Sequence, residues 1–194
     1  MNKPLIFLFC LLSLNVFSQI EETKKFRMST EYGYFNSSFF LASNNGSYLS
    51  GSFGYKINEE FWLNLELIKI TSTGNLEPSP LFINTPSSYN STIINPNFSK
   101  YWGINEKITL SGSLGGALIF ETANKASIIS SNGQLQGIEF ENQGEPFNFG
   151  LFFSFSVMYS LSDSIYAGLN FKSYLPMYLE LESFLIGPSI EIRF

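Results

Sequence analysis

The sequence predicts an all-β fold: an eight-stranded antiparallel up-and-down transmembrane β-barrel. Three observations carry this reading. Several stretches alternate apolar and polar residues, the period-two mark of a strand with two unlike faces. A short turn of Asn or Ser followed by an acid recurs three times, with longer polar segments between the recurrences. The chain holds 21 Phe and 10 Tyr among 194 residues. Beyond its first residues, though, no apolar run reaches the roughly 18 residues that a membrane helix needs.

The N-terminus reads as a leader. Met1 to Pro4 carries one charge, Lys3, and an apolar run follows from Leu5 to Val16, broken only by Ser13 and Asn15. Val16-Phe17-Ser18 then offers a cleavage junction, so residues 1–18 are expected to be a signal peptide and 19–194 the barrel domain. Cys10 lies inside the run between Phe9 and Leu11, unlike the small-residue context of a lipoprotein cysteine. Cleavage would leave no cysteine, hence no disulfide and no thiolate metal site. The whole chain has 11 basic and 16 acidic residues and no histidine. An acidic chain lacks the basic face that nucleic-acid binding requires.

The three turns are Ile57-Asn58-Glu59-Glu60, Ile104-Asn105-Glu106-Lys107 and Leu161-Ser162-Asp163-Ser164. Asn and Ser at such positions accept hydrogen bonds from their own backbone, so each closes a tight hairpin. Three tight turns at one end require four hairpins, hence eight strands. The expected strands are 26–35, 47–57, 61–72, 94–104, 108–120, 147–161, 165–175 and 184–194. The third sets Phe61, Leu63, Leu65 and Leu67 against Trp62, Asn64 and Glu66. The fifth sets Ile108, Leu110, Leu114, Leu118 and Phe120 against Thr109, Ser111, Ser113, Gly115 and Ala117. The sixth has Phe147, Phe149, Leu151, Phe153, Phe155, Val157, Tyr159 and Leu161 on one face. Its other face is small and polar, with Phe152 and Met158 as exceptions. The seventh opposes Ile165, Ala167, Leu169 and Phe171 to Gly168, Asn170 and Lys172. The eighth alternates from Phe184 to Phe194. The first, second and fourth alternate less cleanly.

A soluble lipocalin-like barrel binding an apolar ligand would show the same alternation with the apolar face turned inward. The membrane reading rests on three features. The polar face is mostly Ser, Gly, Ala and Asn, which suits a narrow lumen. Aromatics gather toward strand ends. The chain stops on Phe194 within a strand.

Charges on the inner face are few. Arg27, Glu31, Lys56, Glu66, Lys172, Glu191 and Arg193 form the expected lumen network, because an ion in so narrow an interior needs a partner. Glu191 and Arg193 are expected to meet Arg27 and Glu31 across the seam between the first and last strands. The sharper alternative is a polar path for a proton or small ion. Lys69 and Lys100 take the outward parity. Lys100 looks deep in its strand, where a lysine facing lipid costs about 2–4 kcal/mol. A bulge near Pro96 to Lys100, or another register, would relieve it. No phosphate loop, dinucleotide fingerprint or metal-ligand cluster occurs, so no catalytic residue, cofactor or metal is expected.

The long segments are the expected functional surface. Phe39, Phe40 and Leu41 fall in the first, and Met177, Tyr178 and Leu179 in the last, as contacts to a partner or to the loops themselves. Residues 73–93, with Pro78, Pro80 and Pro86, read as irregular loop. Asn132-Gly133 is a strong hairpin signal, so the fifth and sixth strands are expected to continue outward past the membrane.

With the repeated turns and Phe194 in hand, residues 19–194 resemble the small outer-membrane barrels of the OmpA/OmpX type. They also resemble the outer membrane beta-barrel family common in Bacteroidetes, PorT-like proteins included. That resemblance implies a bacterial outer-membrane location and contact with outer-membrane lipid and lipopolysaccharide. It also implies insertion by the barrel-assembly machinery, with Phe194 as the assembly signal. It implies a structural, adhesive or secretion-accessory role through extracellular loops that could hold a protein partner. Enzymatic barrels of the lipid A-modifying, phospholipase and omptin types place a histidine in their active sites. This chain has none, so no enzyme activity is expected.

Overall fold

The structure, a computed structural model, describes residues 24–37, 44–75, 86–131, 134–143, 147–176 and 183–194. The expected leader, residues 39–41, 78 and 80, and 177–179 lie outside them. The described elements are all strands: β1 Phe26–Ser37, β2 Asn44–Lys56, β3 Phe61–Asn75, β4 Pro86–Gly103, β5 Ile108–Ser131, β6 Gln134–Gln143, β7 Asn148–Ser160, β8 Ile165–Pro176 and β9 Ser183–Arg193. All pairings are antiparallel. The barrel runs β1-β2-β3-β4-β5-β7-β8-β9, and β9 returns to pair with β1. Eight strands therefore close on themselves and leave no edge in the wall. The ninth, β6, pairs only with the outer half of β5 among the described strands.

The short turns form as the sequence predicts. Asn58 Oδ1 accepts from the backbone N–H of Glu60 and Phe61 at 3.0 and 2.9 Å, and Asn105 Oδ1 from Lys107 and Ile108 at 2.9 and 2.7 Å. Ser162 Oγ plays the same part toward Ser164 and Ile165, at 3.4 and 3.2 Å. One side chain thus satisfies two donors that a four-residue turn leaves unpaired. The terminal residues close the same end: Phe26 and Phe194 exchange both backbone hydrogen bonds, at 2.8 and 2.9 Å.

The alternation resolves into an apolar outside. Leu49, Phe53, Leu63, Leu65, Leu67, Phe98, Leu114, Phe153, Leu169 and Ile190 all face outward and are exposed. Aromatics cluster toward both rims. Phe26 stacks near Phe53 and Phe194 at the turn end, with centroids 5.7 and 6.0 Å away. At the other end Phe147 meets Phe120 and Phe149 at 5.3 and 4.6 Å. In water, so large an exposed apolar area would drive association.

Three expectations are corrected. Residues 86–93 are strand, not loop: β4 starts eight residues before the expected 94, and Asn75 pairs with Pro86. β5 and the long segment after it do form an outward hairpin, but its return is a separate strand, β6, and not a continuation of β7. Ser131 pairs with Gln134, bracketing the Asn132-Gly133 signal. Lys100 is not deep. It pairs with Phe61, the first residue after a turn, and β4 runs on only to Gly103. The β3–β4 register is unbroken through Pro96, so no bulge is needed.

Candidate functional site: the filled lumen

The interior is built in layers that can be read along single strands. β3 points Trp62, Asn64, Glu66, Ile68, Ile70 and Ser72 inward, all buried. β4 beside it runs Tyr101, Ser99, Asn97, Asn95 and Ile93 from the turn end inward, all buried: aromatic first, then Ser and Asn, then apolar.

The turn-end layer centres on Arg27 and Glu191. Arg27 Nη1 lies 2.6 Å from Glu191 Oε2, across the β1–β9 seam. The same guanidinium donates to Tyr101 Oη and, through Nε and Nη2, to Asn64 Oδ1 at 2.9 and 2.7 Å. Arg193 bonds Glu191 at 2.7 Å and stacks its guanidinium over Tyr166, 3.9 Å from the ring centroid. Arg27 thus meets Glu191 across the seam. Arg193 turns to its own strand instead of to Glu31. Lys56 stands at the rim and pairs with Glu59 of the adjoining turn at 2.8 Å, outside this layer.

The second charged layer centres on Lys172. Its Nζ lies 2.5 Å from both Glu31 Oε2 and Glu66 Oε1, and 3.1 Å from Ser50 Oγ. Three donors meet three acceptors, which is the full capacity of an ammonium. The carboxylates are satisfied in turn. Glu31 accepts from Tyr48 Oη and from Asn170 Nδ2 at 2.6 Å, and Glu66 accepts from Asn95 Nδ2 at 3.1 Å. This layer carries one net negative charge and the turn-end layer one net positive. The buried charges of the lumen cancel without matching one to one.

Between the layers lies a cavity of about 40 Å³ lined by serines and asparagines, with Arg27 and Glu191 at one end and Glu66 at the other. A space of that size holds about three water molecules.

Sequence reasoning missed the next layer outward. Phe35, Tyr48, Ile68, Ile70, Ile93, Ile119, Phe152, Tyr174 and Leu185 form a fully buried apolar cluster across the bore. Phe152, an exception to the polar face in sequence, is one of its members. The Tyr48 side chain lies across β1 and β9, against two neighbouring glycines, Gly33 and Gly187. A Cβ on Gly33 would stand 2.7 Å from the Tyr48 ring and 2.2 Å from the Ile186 carbonyl; one on Gly187 would stand 2.8 Å from Tyr48 Oη. Asn64, Trp62 and Tyr101 were likewise not singled out in sequence. Their inward parity was the available signal.

Chemically, the lumen is a set of buried ion pairs beneath an apolar plug, with Arg193 Nη2 and Asn95 Oδ1 buried and left without a hydrogen-bond partner among the described residues. Among the described residues no group of His, Cys, Asp and Glu is placed to hold a metal.

No protein-family model and no curated protein sequence matches this chain. Solved structures do. The chain is similar to the Yersinia pestis attachment invasion locus protein Ail, solved with the heparin analogue sucrose octasulfate. The identity is 13%, with 89% of this chain and 100% of that one covered and a TM-score of 0.55. It is similar to Neisserial surface protein A at 15% identity, with 87% and 97% covered and a TM-score of 0.53. The outer membrane protein OprG of Pseudomonas aeruginosa matches at 10% identity, with 91% and 99% covered and a TM-score of 0.56. At these identities the likeness is one of fold, and the shared fold is the closed eight-stranded antiparallel barrel.

Proposed function

We propose that this chain is an integral protein of the bacterial outer membrane. It is made with a cleaved leader over residues 1–18 and crosses the bilayer with eight strands. It acts through its long-loop end in a structural, adhesive or secretion-accessory role, without enzymatic activity. The observation that carries the proposal is the inversion of the barrel. Its outer wall is a band of exposed Leu, Ile and Phe, while Arg27, Lys172, Glu31, Glu66 and Glu191 are buried inside. Hydrocarbon is the solvent that accepts such an outside. The lipocalin-like alternative needs a large apolar cavity, and the space lined by described residues of the bore is polar and about 40 Å³.

On this reading the three tight turns and Phe194 face the periplasm. Phe194 serves as the signal for the assembly machinery, and lipid and lipopolysaccharide surround the band. The β5–β6 hairpin stands outside and is the surface for a protein partner. The lumen does not conduct ions. Membrane fractionation and planar-bilayer recording test the proposal together. The chain should stay in the membrane pellet through carbonate washing and show no nanosiemens conductance. Release into the aqueous fraction would overturn the location, and stable nanosiemens channels would overturn the closed lumen. Co-purification from native membranes then identifies the partner, and turnover of labelled lipid would overturn the non-enzymatic assignment.

A further inference from the structure

Lys100 remains unexplained by the lumen or the fold. It stands on the outer wall, 3.1 Å from Glu60, with the two side chains 38% and 59% exposed. Its Nζ lies over the rings of Phe61 and Trp102, 5.3 and 5.7 Å from their centroids. We propose that Lys100, Glu60, Phe61 and Trp102 form a binding site for a lipid phosphoethanolamine headgroup at the turn end of the barrel. The proposal rests on the membrane reading above.

The site is built and held in place. Asn58 fixes the turn through the N–H groups of Glu60 and Phe61, and the Glu60 carbonyl accepts from Tyr101 N–H at 2.8 Å. Trp102 lies against Gly112 of β5, where an added Cβ would come 3.2 Å from the ring. The residue that follows the acid differs at each turn, and only the first sets a carboxylate beside a strand lysine. Lys107 and Ser164 occupy the place of Glu60 at the other two, where the facing strands supply Tyr159 and Ile192.

The order of charges matches one headgroup class. Lys100 is in the strand, just below the apolar band formed by Leu63, Leu65 and Phe98. Glu60 is in the turn, one step further from that band. A phosphoethanolamine presents its phosphate next to the glycerol or ceramide backbone and its ammonium further out. Phosphate thus meets Lys100, and the primary ammonium donates to Glu60 beside aromatic faces that attract cations. A choline headgroup has no N–H to donate, and a phosphoglycerol has no cation for Glu60.

Trp102 reports on the site directly. The only other tryptophan, Trp62, is buried in the lumen and shielded from lipid. The refolded full chain is placed in vesicles of dibrominated phosphatidylcholine mixed with unbrominated phosphatidylethanolamine, phosphatidylglycerol or phosphatidylcholine. Relief of Trp102 quenching then gives relative association constants. Phosphatidylethanolamine should be preferred over both others by about threefold, the scale of one half-exposed ion pair. Glu60→Gln and Lys100→Met should each remove the preference while keeping the folded mobility of the barrel on gels. The swapped pair Lys100→Glu with Glu60→Lys should not restore it, because the charges would meet the wrong ends. Equal association of all three lipids, a preference for phosphatidylglycerol, or recovery in the swapped pair would overturn the headgroup site alone. Absence of quenching by any brominated lipid would overturn both it and the membrane reading.

Discussion

Replacing Lys172 by methionine is the most direct test of the filled lumen. The ammonium is buried, with a side-chain exposure of 5%, and serves two carboxylates exposed by 2% and 8%. Removing it leaves two negative charges buried in a lumen with room for only a few waters beside Glu66. A single ion pair at 4 Å contributes about 4 kcal/mol at an effective dielectric of 20. Two such contacts are offset by desolvation of the ammonium and by repulsion between Glu31 and Glu66. The measured consequence of deleting one partner of a buried pair, about 3–5 kcal/mol, is the expected loss. The assay is equilibrium unfolding in urea, in detergent micelles or thin bilayers, followed by the gel mobility of the folded barrel. With a slope of about 2 kcal/mol per molar urea, the midpoint should fall by about 2 M. Adding Glu31→Gln and Glu66→Gln to Lys172→Met removes the stranded charges, and the triple variant should return to within about 1 kcal/mol of the parent. A loss below about 1 kcal/mol for Lys172→Met, or a triple variant no more stable than the single one, would refute the reasoning.

Further outcomes follow from other parts of the molecule. Phe152→Ala should cost about 3–5 kcal/mol for the cavity it leaves. Its planar-bilayer trace should stay free of large channels, because Ile93, Ile119 and Tyr174 still cross the bore. Gly33→Val should prevent stable folding, since even a Cβ there meets the Ile186 carbonyl at 2.2 Å; heat-modifiable mobility on gels should be lost. Asn105→Ala should lower stability by about 1 kcal/mol, through loss of the acceptor shared by Lys107 and Ile108. Phe194→Ser should reduce outer-membrane levels in cells while leaving refolding of the purified chain within about 1 kcal/mol of the parent, since Phe194 keeps its backbone bonds to Phe26.

The strands are legible in sequence where the two faces meet different surroundings. β7 alternates over most of its length because one face is mostly Phe and Leu and the other mostly Ser, Asn and Gly, with Phe152 and Met158 as the breaks. The first part of β4 is not legible, because residues 86–93 are mostly Ser, Asn, Thr and Tyr on both faces. Such a stretch has no apolar period, and only its pairing with β3 and β5 makes it a strand. The apolar plug fails for the opposite reason: Ile68, Ile70 and Phe152 are apolar residues on the inner face, which reads as broken alternation. The members of the charged network are readable from parity. Their partners are not, since the stagger of a closed barrel decides which inward positions meet across the bore. Lys172 reaches Glu66 over a sequence separation of 106 residues, a contact that no local pattern encodes.

The seam between β1 and β9 has a bearing on how the barrel forms. Most other wall contacts join neighbours in the chain, while Arg27 and Glu191 stand 164 residues apart. Bringing ends that distant together costs about 4.5 kcal/mol in loop-closure entropy, against about 1.5 kcal/mol for a hairpin turn. On the membrane reading proposed above, until that cost is met β1 and β9 each present an unpaired backbone edge to hydrocarbon, which a bilayer penalises heavily. The ring is therefore cooperative by topology, because the pairing that removes its last edges joins its first strand to its last. Arg27 and Glu191 sit at that join, so the pair that neutralises the turn-end layer is also the latch that completes the circle.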